Sequence, residues 1–204
     1  MKIYKYKDYE DYLKHQAKHN EIKFGKIVYV GKHTINEICK HKGCEDVTNI
    51  LCHGTRSGHE QQFFLEYFED NKLNTPYVIG SEIGQSANYE GVSLTVQHDF
   101  NKPRSEWVGK FDIVYSNSFD HSIVPIECLN TWKEQLNSTG TIYIEYSQNQ
   151  NHEKRVSESD PLGASYKEIE QMIKEAGLNV IDKITRHTKG RIKHNGVVYV
   201  LEKK

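Results

Sequence analysis

The sequence predicts an α/β fold, a mostly parallel seven-stranded sheet closed by an antiparallel hairpin with helices on both faces, and three observations carry that prediction. Short runs rich in Val, Ile and Tyr alternate with helical stretches along most of the chain, the pattern of a parallel sheet. The segment from Asn49 to Asp70 reads as an apolar strand (Ile50, Leu51, Cys52), a turn bearing Gly54 and Gly58, and an amphipathic helix carrying Phe63, Phe64, Tyr67 and Phe68. The last two apolar runs, 178–186 and 196–202, have no helix between them. Parallel strands need a crossover of about a dozen residues, so this final pair is most simply antiparallel.

Each element has its own signal. Asp8 to about Asn20 reads as a polar helix with Tyr9, Tyr12 and Leu13 as its apolar stripe, and Ile27–Val30 as a short strand. Thr34-Ile35-Asn36-Glu37 has the form of a capping box, which places a helix start there and its end near His41. Strands follow near 47–53, 77–82, 92–97, 111–116 and 140–147. Helices are expected over 59–71, 125–137 and 165–176, with Gly177 closing the last. The 83–91 connection is too short for a regular helix. The organisation is therefore an N-terminal helical or cap segment, 1–46, ahead of a main domain over 47–204.

Composition narrows the functional classes. The 204 residues can bury a sizeable core. With 27 basic and 28 acidic residues the formal charge is −1, so no global basic field draws in nucleic acid. No apolar run approaches the ~20 residues of a membrane span, and the opening MKIYKYKDYEDYLKH lacks the apolar stretch of a signal peptide. Cys39, Cys44, Cys52 and Cys128 form no CxxC pair, consistent with reduced thiols and a cytoplasmic setting. Cys39, His41 and Cys44 are the nearest approach to a zinc set but lack a clear fourth ligand, and no metal is expected.

The site chemistry begins at the glycine turn. A strand that stops in such a turn and restarts as a helix leaves backbone N–H groups to face an electron-rich ligand. Farther on, Tyr77-Val78-Ile79-Gly80 ends in Glu82, an acid at the tip of the second strand, where a nucleotide ribose is usually gripped. These features point to a nucleoside-containing cofactor.

The order of elements and the motifs on them resemble a class I S-adenosylmethionine (SAM)-dependent methyltransferase, over roughly residues 47 to 204. That family ends its first strand in an acid followed by a G-x-G-x-G turn around the methionine part of SAM. Here Cys52-His53-Gly54-Thr55-Arg56-Ser57-Gly58 keeps the outer glycines, while Cys52 stands for the acid and Arg56 for the central glycine. The resemblance implies a Rossmann-like methyltransferase fold and SAM as cofactor. It implies that Glu82, beside Ile83, accepts from the ribose hydroxyls, that Asp99 takes the adenine amino group with Phe100 along the base, and that Ser116 and Asn117 form the pocket floor. It places His53, Gly54, Thr55, Arg56 and Gly58 around the methionine end. The chain is most similar to a branch with a C-H-G-T-R-x-G-x-E loop and a Y-S-N-S-x-D-H segment, present as Cys52 to Glu60 and Tyr115 to His121.

Asp120-His121 follows the fourth strand at the carboxyl edge of the sheet, where open α/β folds bind ligands. These residues are the catalytic candidates, with His121 as base and Asp120 orienting it or binding substrate, and with a cap and a lining residue as the simpler alternative. Arg56 either faces the methionine carboxylate or pairs with Glu60 four residues on. The polar stretch 148–165 reads as a substrate lid or a plain connector. Three classes remain open. They are methyl transfer to a small-molecule or saccharide acceptor, SAM or nucleoside binding without catalysis, and an NAD-type oxidoreductase, the last disfavoured because G-x-G-x-x-G is absent.

Overall fold

The computed structural model describes residues 1–147, 152–186 and 196–204. Its strands are β1 (Lys2–Ile3), β2 (Asn49–His53), β3 (Tyr77–Glu82), β4 (Thr95–Gln97), β5 (Phe111–Ser116), β6 (Leu136–Tyr146), β7 (Leu162–Gly163), β8 (Leu178–Arg186) and β9 (Gly196–Lys203). Its helices are α1 (Tyr9–Lys23), α2 (Lys32–Lys42), α3 (His59–Asp70), α4 (Pro125–Gln135) and α5 (Tyr166–Glu175).

Seven strands form the main sheet in the order β4-β3-β2-β5-β6-β9-β8. The first five are parallel, and β9 runs antiparallel between β6 and β8, which is the closing hairpin the sequence predicts. Alternation along the strands divides the core in two. Leu51, Val114, Ile142 and Ile144 face α4 and α5, where Leu129, Trp132, Ile169 and Ile173 close one layer. Ile50, Cys52, Ile113 and Tyr115 face α2 and α3, where Ile35, Ile38, Phe64 and Phe68 close the other. Burying Phe64 and Phe68 completely is worth about 1.5–3 kcal/mol each, which fixes α3 on the sheet directly after the glycine turn.

Four local expectations are corrected. Residues 27–30 form no strand, and Ile27, Val28 and Tyr29 stand exposed instead of contributing to the sheet. Thr34 does not cap α2, which starts at Lys32 behind Gly31, and Thr34 lies buried within it. The third parallel strand is short, only Thr95–Gln97. Finally, α4 stops at Gln135 and β6 begins at once with Leu136, earlier than expected, because Leu136 is needed in the core beside Phe111.

The N-terminal residues divide between two tasks. The α2 helix is part of the core through Ile35 and Ile38. The α1 helix lies over the carboxyl edge of the sheet and is held largely by polar contacts, since its buried residues are Tyr12 and Gln16. The β1 strand pairs antiparallel with β7, Lys2 opposite Gly163, and ties the N-terminus to the stretch beyond β6. Of that stretch, residues 148–151 lie outside the described residues. Among the described residues no helix is long and apolar enough to cross a membrane.

Candidate active site

The strand order reverses between β3 and β5 on either side of β2, so the crevice beyond their carboxyl ends is where an open sheet places a ligand. The loop after β2 is shaped by its conformation. Gly54 has φ +73 and its N–H donates to the Ser81 carbonyl at 2.8 Å, which bends the loop over the end of β3. A Cβ at Gly54 would sit 2.6 Å from the Ser118 Cβ, so the loops after β2 and β5 touch here. Arg56, in place of a central glycine, adopts φ +43, a left-handed conformation that glycine takes more readily. Its N–H donates to Glu82 Oε2 at 2.9 Å.

Two spaces open from this loop. The narrower one, about 20 Å³, is bounded by Glu82, Ile83, Asp99 and Phe100 on the sheet side and by Tyr12, Gln16 and Asn20 of α1. Glu82 is 2% exposed, and burial pushes its carboxyl above the usual range despite donors on both oxygens. Those donors are the Gly84 N–H at 2.8 Å, the Arg56 N–H and the Asn20 amide. Asp99 accepts from the Tyr9 hydroxyl at 2.8 Å. Both acids that the resemblance assigns to the nucleoside are thus satisfied by side chains of α1.

The wider space is a cavity of about 310 Å³ lined by Thr55, Arg56, Glu60, Asn117, Asp120, His121 and Glu145 among others. His121 Nδ1 lies 2.8 Å from Gln16 Oε1. The Gln16 amide nitrogen donates to the Tyr6 hydroxyl and the Glu158 carbonyl, each at 3.1 Å, so its oxygen must accept and the proton belongs on His121 Nδ1. His121 Nε2 then lies 4.0 Å from Asp120 and 3.9 Å from Asp160. Asp120, His121 and Asp160 are the one metal-compatible group among the described residues, their ligand atoms within 4.8 Å of one another. Cys39 and Cys44 are instead buried in the α2–α3 layer, and His41 turns to the Tyr143 hydroxyl at 3.0 Å.

Arg56 makes no ion pair with Glu60. Its Nε reaches Asn20 Oδ1 at 3.4 Å and its guanidinium lies 5.4 Å over the Tyr29 ring.

The structure therefore brings together Gly54, Thr55, Arg56, Glu82, Ile83, Asp99, Phe100, Asn117, Asp120 and His121 around two adjoining spaces. Three expected cofactor residues lie elsewhere. The His53 side chain is 1% exposed, stacked on Trp132 with ring centroids 4.8 Å apart, and bonded to Ser81 and Gln135 at 2.7 and 2.8 Å. Burial holds its imidazole down at about 3, so it is a neutral core residue and not a ligand contact. The Ser116 hydroxyl is spent on the His53 carbonyl at 3.0 Å. Gly58 instead lets the loop pass Ser93, whose backbone N would stand 2.9 Å from an added Cβ.

Sequence reasoning missed Tyr9, Asn20, Glu60 and Glu145. An acid in the apolar run Ile142–Tyr146 and an acid opening α3 were visible signals for the two glutamates. Nothing local marked Tyr9 or Asn20, which meet their partners only through the fold.

No family model matches the chain, and no curated protein matches it. Solved structures do. It is similar to the 1,6-didemethyltoxoflavin-N1-methyltransferase of Burkholderia thailandensis, crystallised with 1,6-didemethyltoxoflavin and S-adenosylhomocysteine, at a TM-score of 0.73 and 13% identity over 98% of this chain and 92% of that one. A SAM-dependent methyltransferase from Clostridium acetobutylicum aligns at a TM-score of 0.64 and 12% identity, over 91% of this chain and 98% of that one. The CcbJ methyltransferase of Streptomyces caelestis aligns at 0.61 and 12%, over 95% and 99%. At these identities the likeness establishes a Rossmann-like methyltransferase fold.

Proposed function

We propose that this chain is a SAM-dependent methyltransferase acting on a small-molecule or saccharide acceptor. The observation that carries the reading is a buried acid, Glu82, at the tip of β3 beside a left-handed glycine loop, opening onto a polar cavity of about 310 Å³ on a methyltransferase fold. The donor set suits the cofactor. Glu82 is held by hydrogen-bond donors on both oxygens, as two ribose hydroxyls would hold it, and Asp99 by a hydroxyl. Glu82 would grip the ribose, Asp99 and Phe100 the adenine, and the 54–56 loop the methionine end. SAM supplies an electrophilic methyl group on sulfur. The protein's part is to exclude water, place the acceptor in line and take its proton. His121, with its proton on Nδ1, presents Nε2 as the base, and Asp120 orients the acceptor or the imidazolium that forms.

Titration calorimetry with SAM, S-adenosylhomocysteine and NAD tests the reading. Binding of the first two and not NAD is expected, and NAD binding alone would overturn it. Glu82→Gln is expected to weaken S-adenosylhomocysteine by about 2–3 kcal/mol, because one charge-assisted acceptor becomes a donor. Unchanged affinity in the folded variant would remove Glu82 from the site. A ribose on Glu82 competes with Asn20, so α1 is expected to lose amide protection from hydrogen exchange at saturating nucleoside or to re-form over it with a new pattern. An α1 unchanged throughout would contradict binding in this crevice.

For turnover, His121→Ala is expected to lower the rate by ~10²-fold or more with S-adenosylhomocysteine affinity unchanged. A loss confined to acceptor affinity would make His121 a binding residue. Absence of turnover with any acceptor despite tight nucleoside binding would favour the non-catalytic reading, which the substitutions at Cys52 and Arg56 support.

A further inference from the structure

We propose that Glu60 and Glu145 form an ammonium-binding subsite in the wall of the 310 Å³ cavity, accepting either the α-ammonium of the cofactor's amino-acid half or the protonated amine of an acceptor. The proposal rests on the SAM reading only for the first of these two sources.

Glu60, in the first turn of α3, is 6% exposed. One of its oxygens accepts from Asn117 Nδ2 at 3.2 Å, while Oε2 has no hydrogen-bond partner. It has no ion-pair partner among the described residues. Glu145, 3% exposed near the end of β6, accepts from the Tyr115 hydroxyl and lines the same cavity. The two carboxyls are close enough for the Glu145 charge to add to the burial that pushes Glu60 up, to about 8. A buried carboxyl with one oxygen unpartnered, set beside a second buried acid, is a costly arrangement for folding alone.

The cavity's cations, by contrast, lie toward its rim. Lys23 and Arg56 are partly exposed and Arg155 is exposed. A ligand with a positive end inward and a negative end outward matches this layout, and an ammonium offers several N–H donors to two carboxyls. The sequence adds an independent reason. The strand-end position where the resemblance expects an acid holds Cys52, and burial together with the nearby Glu60 charge pushes that thiol well up. Glu60 thus returns a carboxyl to the neighbourhood from which the strand has lost one.

Titration calorimetry on the full chain and on Glu60→Gln, with Glu145→Gln as a second variant, tests the subsite. The probes are S-adenosylhomocysteine, 5′-methylthioadenosine (the same nucleoside without the amino-acid half) and, at saturating S-adenosylhomocysteine, 1,4-diaminobutane against 1,4-butanediol. Glu60→Gln is expected to weaken one ammonium-bearing probe by about tenfold or more while 5′-methylthioadenosine stays within about twofold. Loss at S-adenosylhomocysteine assigns the subsite to the cofactor, and loss at the diamine but not the diol assigns it to an amine acceptor. Unchanged affinity for both ammonium probes, or an equal loss for 5′-methylthioadenosine, overturns the proposal. If the parent binds neither nucleoside, the cofactor reading fails separately, and the diamine arm on the protein alone decides the subsite.

Discussion

Glu60→Gln is expected to make the ligand-free protein more stable at pH 8, and His53→Gln to flatten its loss of stability in acid. The two groups act in opposite directions. The Glu60 carboxyl is raised from 4.5 to about 8 by burial, so between those values the native state keeps a proton that the unfolded chain releases, and stability falls as pH rises. The His53 imidazole is lowered from 6.5 to about 3, again by burial, so between those values the unfolded chain takes a proton that the native state refuses, and stability falls as pH drops. At about 1.4 kcal/mol per tenfold change, each limb is on the order of 5 kcal/mol at most. From pH 4.5 to 6.5 the two oppose each other, which places the optimum there as far as these groups decide it. Urea midpoints measured across pH check this. The Glu60→Gln advantage should shrink toward zero as pH falls to 4.5, and a constant advantage would show that its ionisation is not the cause. His53→Gln also gives up the stack on Trp132, so its slope with pH is the diagnostic and not its absolute stability.

Gly54→Ala is expected to cost about 2–4 kcal/mol of stability and to abolish nucleoside binding. The backbone at φ +73 strains any residue with a Cβ, by about 1–3 kcal/mol. The added methyl would also meet the Ser118 Cβ at 2.6 Å, forcing apart the two loops that frame the cavity. Adding Ser118→Gly removes the contact and leaves the strain, so the double variant should recover part of the stability and some of the binding. Full recovery would mean the backbone conformation carries no strain. No recovery would mean that Ser118 is not what the methyl meets. The effect reaches the fold as well as the ligand, since Gly54 packs against protein on the side where its Cβ would point.

The sequence by itself determined the sheet and the loop. Contiguous apolar runs around Ile50–Cys52, Val78–Ile79, Ile113–Tyr115 and Ile142–Ile144 set the strands, because a parallel sheet covered on both faces buries every residue of such a run. The turn from Cys52 to Gly58 placed Gly54, Thr55 and Arg56 at the cavity, and Glu82 and Asp99 fell at strand tips because their positions after apolar runs are themselves a local signal. What only the tertiary structure decided is which polar groups meet. His53 and Thr55 flank the same glycine in the sequence, yet the strand ends at His53 and the left-handed turn at Gly54 separates them, leaving the His53 ring in the core against Trp132 while Thr55 lines the cavity. Tyr9 and Asn20 close on Asp99 and Glu82 across long stretches of chain. Glu60 and Glu145 come from α3 and β6. Such pairings follow from which strand lies beside which, and an apolar run read along one segment carries no information about them.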